Sequence, residues 1–428
     1  MNDGEQMYEL CSKIYPVYRH LMGDGIRTTL EMLNEFIIDT GFQLHLTEVK
    51  TGKLVSDWRI PKEWVIREGY IEDEEGNHIV DVKDNNLHIV GYSTPIDKWL
   101  ELKDIMEYIY TQPEQPDVIP YVTSYYRENT GFCMSENMRK NLKQGKYHLF
   151  IDSEFQTGSL TYADLIMPGR CEQEVMICTY ICHPSMANDN CSGLALLASL
   201  IKYIADIPNR KYTYRFVVQP ETIGAIAYIT DHREALKKVI AAFNLSCVGD
   251  NNCYSLIESP YADTYADKIM KNLLKNRENV IYYSYLDRGS DERQYAAPGV
   301  DVPMVCFCRS KFGCFPEYHT SADNMSFVSS DGFQGSYDLM TEAIQVIEHN
   351  AKYKAKILCE PQLSRRGLQA SISQKGKYDE VLKLRNVISY ADGRNDLISL
   401  GEILKESAYD LINRVKVLEE NGLIEKSE

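Results

Sequence analysis

Residues 175–205, VMICTYICHPSMANDNCSGLALLASLIKYIA, decide the fold. The first seven form an apolar, β-branched run of strand length. From Gly193 onward the apolar residues recur at helical spacing. Strand, loop and helix in that order are the repeating unit of an α/β sheet. Ligands of open α/β sheets bind in the crevice beyond the carboxyl ends of the strands. His183 and Asp189, two good metal donors six residues apart, fall in that loop. They also have plainer uses. Asp189 or Asn190 suits a helix N-cap, and His183 before Pro184 suits a solvated loop.

Around this segment the chain alternates strand and helix. Strands are expected at 42–50, 213–219, 239–249, 280–286 and 302–310, with helices at 224–238, 262–275 and 331–349. Residues 7–40 read as helical with an interruption at 20–30. From 56 to 146 the character changes to short alternating segments separated by EEGN and DNN turns, which predicts a β-rich module inserted into the main domain (1–55 and 147–360). The module and its YYRENTGFC stretch (125–133), with Arg27, are expected beside the crevice. Residues 375–428 read as helix, turn, helix and short strand, a winged-helix-like unit.

Composition limits the function. The 428 residues are 44% hydrophobic and 25% charged, as in ordinary soluble domains. No apolar run reaches membrane-spanning length, and MNDGEQMYEL lacks the features of a secretory signal. Twelve cysteines show no paired spacing, and Cys178, Cys306 and Cys308 sit in apolar runs, which suits free thiols in the cytoplasm. The net charge of −16 opposes nucleic-acid binding by the chain as a whole. Residues 375–428 hold 9 Lys+Arg and 11 Asp+Glu. That unit is therefore expected to pack on the main domain or on another copy of the chain, giving a possible homo-oligomer, and not to read DNA.

Three further strand ends carry reactive groups: Glu221 after TYRFVVQ, Asp250 after the strand ending near Gly249, and Tyr318–His319 after VPMVCFCRS. If the strands are parallel, His183, Asp189, Glu221 and His319 converge. Two imidazoles and a carboxylate with one open position, beside a second carboxylate as base, make a hydrolytic zinc site. Glu221 equally suits a cap for the helix that follows.

The order of these motifs resembles the zinc-dependent aminopeptidase fold of bacterial leucyl aminopeptidases, glutamate carboxypeptidases and glutaminyl cyclases. ANDNCSG (187–193) matches the family's bridging-Asp loop, YHTSAD (318–323) its last His loop, and RGSDERQYAAPGVDVP (288–303) its late Ser-Asp segment. More narrowly, the chain resembles a bacterial family with an aminopeptidase-like domain, an inserted β module and a C-terminal winged helix, often linked with polysaccharide biosynthesis. The resemblance implies a mixed sheet flanked by helices. It implies His183, Asp189 and His319 as metal ligands and Glu221 as general base, with Tyr318, Asp291, Arg288 and Arg293 as substrate-binding candidates. Asp291 is equally a candidate to orient His319.

Two departures stand out. The family's metal ligand after the general base is Thr222 here, and its second Asp ligand is Ser246. Each of the family's two metals has lost its private carboxylate, which implies one zinc ion per chain unless Asp250 compensates. The expectation is a cytoplasmic metallohydrolase that cleaves an amide in a small peptide or acylated amine. The alternatives are a binding or scaffold protein that retains the metal, and deacylation or cyclotransfer on a sugar amine.

Overall fold

The computed structural model describes residues 2–125, 127–368 and 379–427. Tyr126, within the YYRENTGFC stretch, and residues 375–378, where the C-terminal unit is expected to begin, lie outside them. The chain divides into two compact units, Met1–Ala262 with Ile281–Tyr337, and Asp263–Val280 with Asp338–Glu428.

The first unit is built on a mixed eight-stranded sheet. Its strands in chain order are β1 (His45–Lys50), β2 (Ser159–Met167), β3 (Glu174–Tyr180), β4 (Thr213–Gln219), β5 (Val239–Leu245), β6 (Tyr254–Ile257), β7 (Val280–Tyr283) and β8 (Met304–Cys308). They lie in the order β1-β2-β4-β3-β5-β8-β6-β7. β4, β3, β5 and β8 are mutually parallel. β3 is buried along its whole length, as the unbroken apolar run predicts for a strand covered on both faces. Helices Gly193–Ala205 and Ile223–Leu236 make the crossovers that parallel strands require.

Register then fixes the site. Tyr180 pairs with Gln219, Thr179 with Leu245, and Leu245 with Phe307. The four parallel strands therefore end level, and the loops after them open at one edge. β6 was not legible as a strand. It holds four residues, YSLI, behind a polar Asn-Asn-Cys, and gains its place by antiparallel pairing with β8.

Between β1 and β2 a separate antiparallel sheet forms from Glu63–Asp73, His78–Asp81, Lys146–Gln156 and Ile96–Glu101, with the 63–73 and 146–156 strands central. The EEGN turn closes on Asp73 Oδ1, which accepts the backbone N–H groups of Glu75 and Asn77 at 2.9 Å each. Trp64 anchors this module, stacking on Tyr92 and donating its indole N–H to the Ser93 carbonyl at 2.8 Å.

The second unit carries a three-stranded sheet of Lys352–Ala355, Asp392–Asp396 and Ile424–Ser427, with helices Asp379–Tyr390, Leu397–Leu404 and Ala408–Glu420. This is a winged helix. Leu397, Leu400, Leu411, Val415 and Leu418 form its core. Ile403 is 41% exposed near the end of its short helix.

Candidate metal centre

Asp189 sits in a loop that neighbouring backbone and side chains fix almost completely. Asp323 accepts the N–H of Asn188 at 2.6 Å and of Asp189 at 2.9 Å, one on each carboxylate oxygen. The Asn190 amide donates to Thr179 Oγ1 at 2.7 Å, and its carbonyl accepts the N–H of Cys247 at 3.1 Å. Ser192 donates to the Asn188 carbonyl and accepts the N–H of Val248. A Cβ on Gly193 would lie 2.3 Å from Thr179 Oγ1, so the loop needs glycine there. Most of the ANDNCSG motif therefore ties the loop to the strand ends.

The Asp189 carboxylate is left to face the crevice, fully buried. Its Oδ1 accepts the Tyr180 hydroxyl and lies 3.1 Å from His183 Nδ1. Its Oδ2 lies 3.0 Å from His319 Nε2, yet neither atom has a hydrogen-bond partner. His183 Nδ1 also contacts the Asp189 carbonyl at 3.3 Å. A carbonyl can only accept, so that contact assigns a proton to Nδ1 and makes Nε2 the nitrogen a metal would take from the neutral ring. His183, Asp189 and His319 each offer one ligand atom within 4.8 Å of the others. Two imidazoles and a carboxylate are a zinc donor set, and a cation would satisfy the orphaned Oδ2 and Nε2. Burial works against the Asp189 charge, but the two histidines outweigh it and hold its carboxyl far below the usual range. Burial also works against the His183 charge, yet Asp189 and Glu221 push that ring up to about 9.

Glu221 follows β4, with Oε2 3.7 Å from His183 Nε2. Its carboxyl is pushed up to about 8, first by burial and further by Asp291 and Asp189, against the pull of His183 and Arg293. The next residue, Thr222, is in the left-handed region at φ 65°. Asp291 holds it there, with Oδ1 accepting the Thr222 N–H at 2.8 Å and Oδ2 the Gln219 amide at 3.0 Å. Both Asp291 oxygens are thus committed to the loop that carries Glu221, not to His319.

Tyr318 stacks flat on the His319 ring at 3.9 Å. Arg293 reaches the crevice and donates to Thr222 Oγ1. Arg288 is exposed, lying over the Tyr285 ring and donating to its carbonyl, outside the crevice. Arg27 pairs with Asp24 and Glu63. Asp250 accepts from Asn188, Asn252 and Ser310, so its oxygens are committed to the loop scaffold. Ser246 bonds the Tyr180 hydroxyl at 2.7 Å.

Several contributors carry no motif. From the inserted module, the Tyr121 N–H donates to the His319 carbonyl at 2.9 Å, and the Tyr121 ring sits edge-on to both histidines. The Tyr121 and Tyr125 hydroxyls meet at 3.2 Å. A cavity of about 330 Å³ adjoins Glu221, walled by Trp58, Tyr125, Thr222, Ile223 and Arg293.

The arrangement is that of an aminopeptidase-like fold. The zinc aminopeptidase BSAP of Bacillus subtilis shares it at a TM-score of 0.58 and 14% identity, over 80% of this chain and 94% of that one. A domain family of unknown function, DUF4910, matches residues 8–350, and a winged helix-turn-helix family matches 351–426. The chain belongs to the DUF4910 family. A Clostridium acetobutylicum protein, provisionally named a polysaccharide biosynthesis protein with aminopeptidase-like domain, is 37% identical over 400 residues, covering 93% of this chain and 91% of that protein. A crystal structure of a provisionally named peptidase from the same organism matches at a TM-score of 0.91 and 34% identity, over 99% of this chain and 96% of that one. Among the described residues, no helix is long and apolar enough to cross a membrane.

Proposed function

We propose that the protein is a cytoplasmic, zinc-dependent amide hydrolase acting on a small peptide or an acylated amine, with Glu221 as general base. The carrying observation is the position of Glu221, 3.7 Å from His183 beside the His183–Asp189–His319 cluster and open to a cavity. Those three residues would hold one zinc ion. Zinc at such a site supplies Lewis acidity, polarising a carbonyl and lowering the pKa of water towards about 7.

Glu221 takes the proton of the attacking water and returns it to the departing nitrogen. Asp291 positions Glu221 through Thr222, and Tyr318 braces the His319 ring. A single ion is supported by what stands in place of further carboxylates. Thr222 is engaged by Arg293, and Ser246 by Tyr180.

The winged helix is proposed to pack on another copy of the chain or on the main domain, and not on DNA. In the helix Ala408–Glu420, Arg414 is paired with Glu406, and Tyr409 is 41% exposed. The name of the Clostridium acetobutylicum relative supports a setting in polysaccharide biosynthesis.

The test is metal analysis of protein purified without added metal, with a screen of aminoacyl and N-acyl-sugar amides. About one zinc per chain with turnover of at least one amide is expected. Bound zinc with no turnover across the panel would point to a binding protein instead.

A further inference from the structure

The cavity beside Glu221 is lined by a guanidinium that, among the described residues, makes no direct ion pair, although the charges of Glu221 and Asp291 act on it from nearby. Arg293 reaches it from the short helix Glu292–Tyr295 and spends one Nη2 hydrogen bond on Thr222 Oγ1. Its Nε is buried with no hydrogen-bond partner, and no carboxylate among the described residues lies within ion-pair distance of its guanidinium. The nearest acids are otherwise engaged. Asp291 has both oxygens committed to Gln219 and Thr222, and Glu221 is directed at His183. The remaining walls are mostly apolar, from Leu21, Trp58, Tyr125 and Ile223.

A buried donor without a partner is costly, and a guanidinium fork matches a carboxylate in shape and charge. A cationic amine placed at the guanidinium itself would instead meet it as a like charge. We infer that the Arg293 cavity takes a carboxylate, so that the substrate is an acylated amine bearing an acid group and not a peptide presented by its free ammonium. One guanidinium, with part of its donor set already used on Thr222, matches a monoanion better than a phosphate dianion. The apolar walls accommodate the aliphatic or sugar framework that carries the acid. This inference rests on the proposed hydrolase reading for its substrate class, but its test reads binding and does not require turnover.

The experiment is calorimetric binding to zinc-loaded Glu221→Gln protein, so that no ligand is consumed. The probes are N-acetyl-leucine, N-acetyl-leucinamide and leucinamide, with N-acetylmuramic acid as an acylated sugar amine bearing an acid. N-acetyl-leucine or N-acetylmuramic acid should bind at least tenfold more tightly than the uncharged amide, and leucinamide most weakly. The tighter of the two acids identifies whether the acid rides on an amino-acid or a sugar framework. Arg293→Met should abolish the preference and Arg293→Lys should keep part of it. Equal binding of acid and amide, or preference for the ammonium probe, overturns the inference. So does a carboxylate preference that survives in Arg293→Met, because the acid would then be held by the metal. The comparison among probes needs no Arg293 variant to fold. Failure of the hydrolase reading would show instead as zinc-loaded wild type that cleaves no amide.

Discussion

Asp189 Oδ2 and His319 Nε2 lie 3.0 Å apart in the crevice, and neither has a hydrogen-bond partner. Leaving two polar atoms unsatisfied is expensive, so the pair is arranged for a third party. His319→Ala should therefore lower zinc affinity by more than ~100-fold, beyond the ~10–100-fold that follows loss of an outer partner. Competition with a chelator measures this. Near-native zinc retention in the variant would remove His319 from the ligand set.

Asp323 is not one of the three clustered donors, yet it accepts two consecutive N–H groups of the Asp189 loop. Asp323→Ala should destabilise the fold by about 2–4 kcal/mol, from two buried N–H groups left without an acceptor, and weaken zinc binding ~10–100-fold. Denaturant unfolding and the same chelator competition check both. A variant with unchanged stability and zinc affinity would show that the loop holds itself.

Thr222→Glu restores a carboxylate after the general base, and at first sight should recruit a second ion. The structure places Arg293 against Thr222, so the new carboxylate would pair with the guanidinium. Elemental analysis of the variant should still give one zinc per chain. Two zinc ions at full occupancy would show that the missing carboxylate alone sets the stoichiometry.

These three cases show what the sequence could and could not carry. Metal-donor chemistry was legible because two histidines and an aspartate after neighbouring strands together supply the nitrogen and oxygen donors that zinc takes. Parallel order was legible from apolar runs, and the register then brought His183, Asp189 and Glu221 to one edge. Roles that depend on which hydrogen bond forms across that edge were not. Asn188, Asn190 and Ser192 read as motif letters, and the structure makes them ties between loop and strand ends. Asp291 read equally well as a partner for His319 or substrate, and is a clamp on Thr222. Arg288 and Arg293 are indistinguishable as residues. The short helix after Gly289 turns one into the cavity and leaves the other outside it. Tyr121 was hidden because its contribution depends on the insert returning over the His319 loop, whereas Tyr125 opens the stretch expected beside the crevice and walls the cavity there.

The winged helix offers an independent check. Among the described residues Lys383, Arg385, Arg394 and Arg414 are each paired with a carboxylate, and acidic residues outnumber basic ones where phosphates would lie. A low-salt assay with mixed duplexes should show no binding tighter than weak, non-specific association. Tight binding that falls steeply with added salt would mean that the fold cue outweighs the charge balance.

The most direct test of the whole account is Glu221→Gln, measured beside wild type for zinc content and for turnover of an amide that wild type cleaves. Glu221 stands beside the donor cluster and is not one of its ligands. The variant should keep about one zinc per chain while turnover falls ~10²–10⁴-fold, as for loss of a general acid–base group. Loss of the zinc would make Glu221 a ligand, and undiminished turnover would place the base elsewhere; either result contradicts the account.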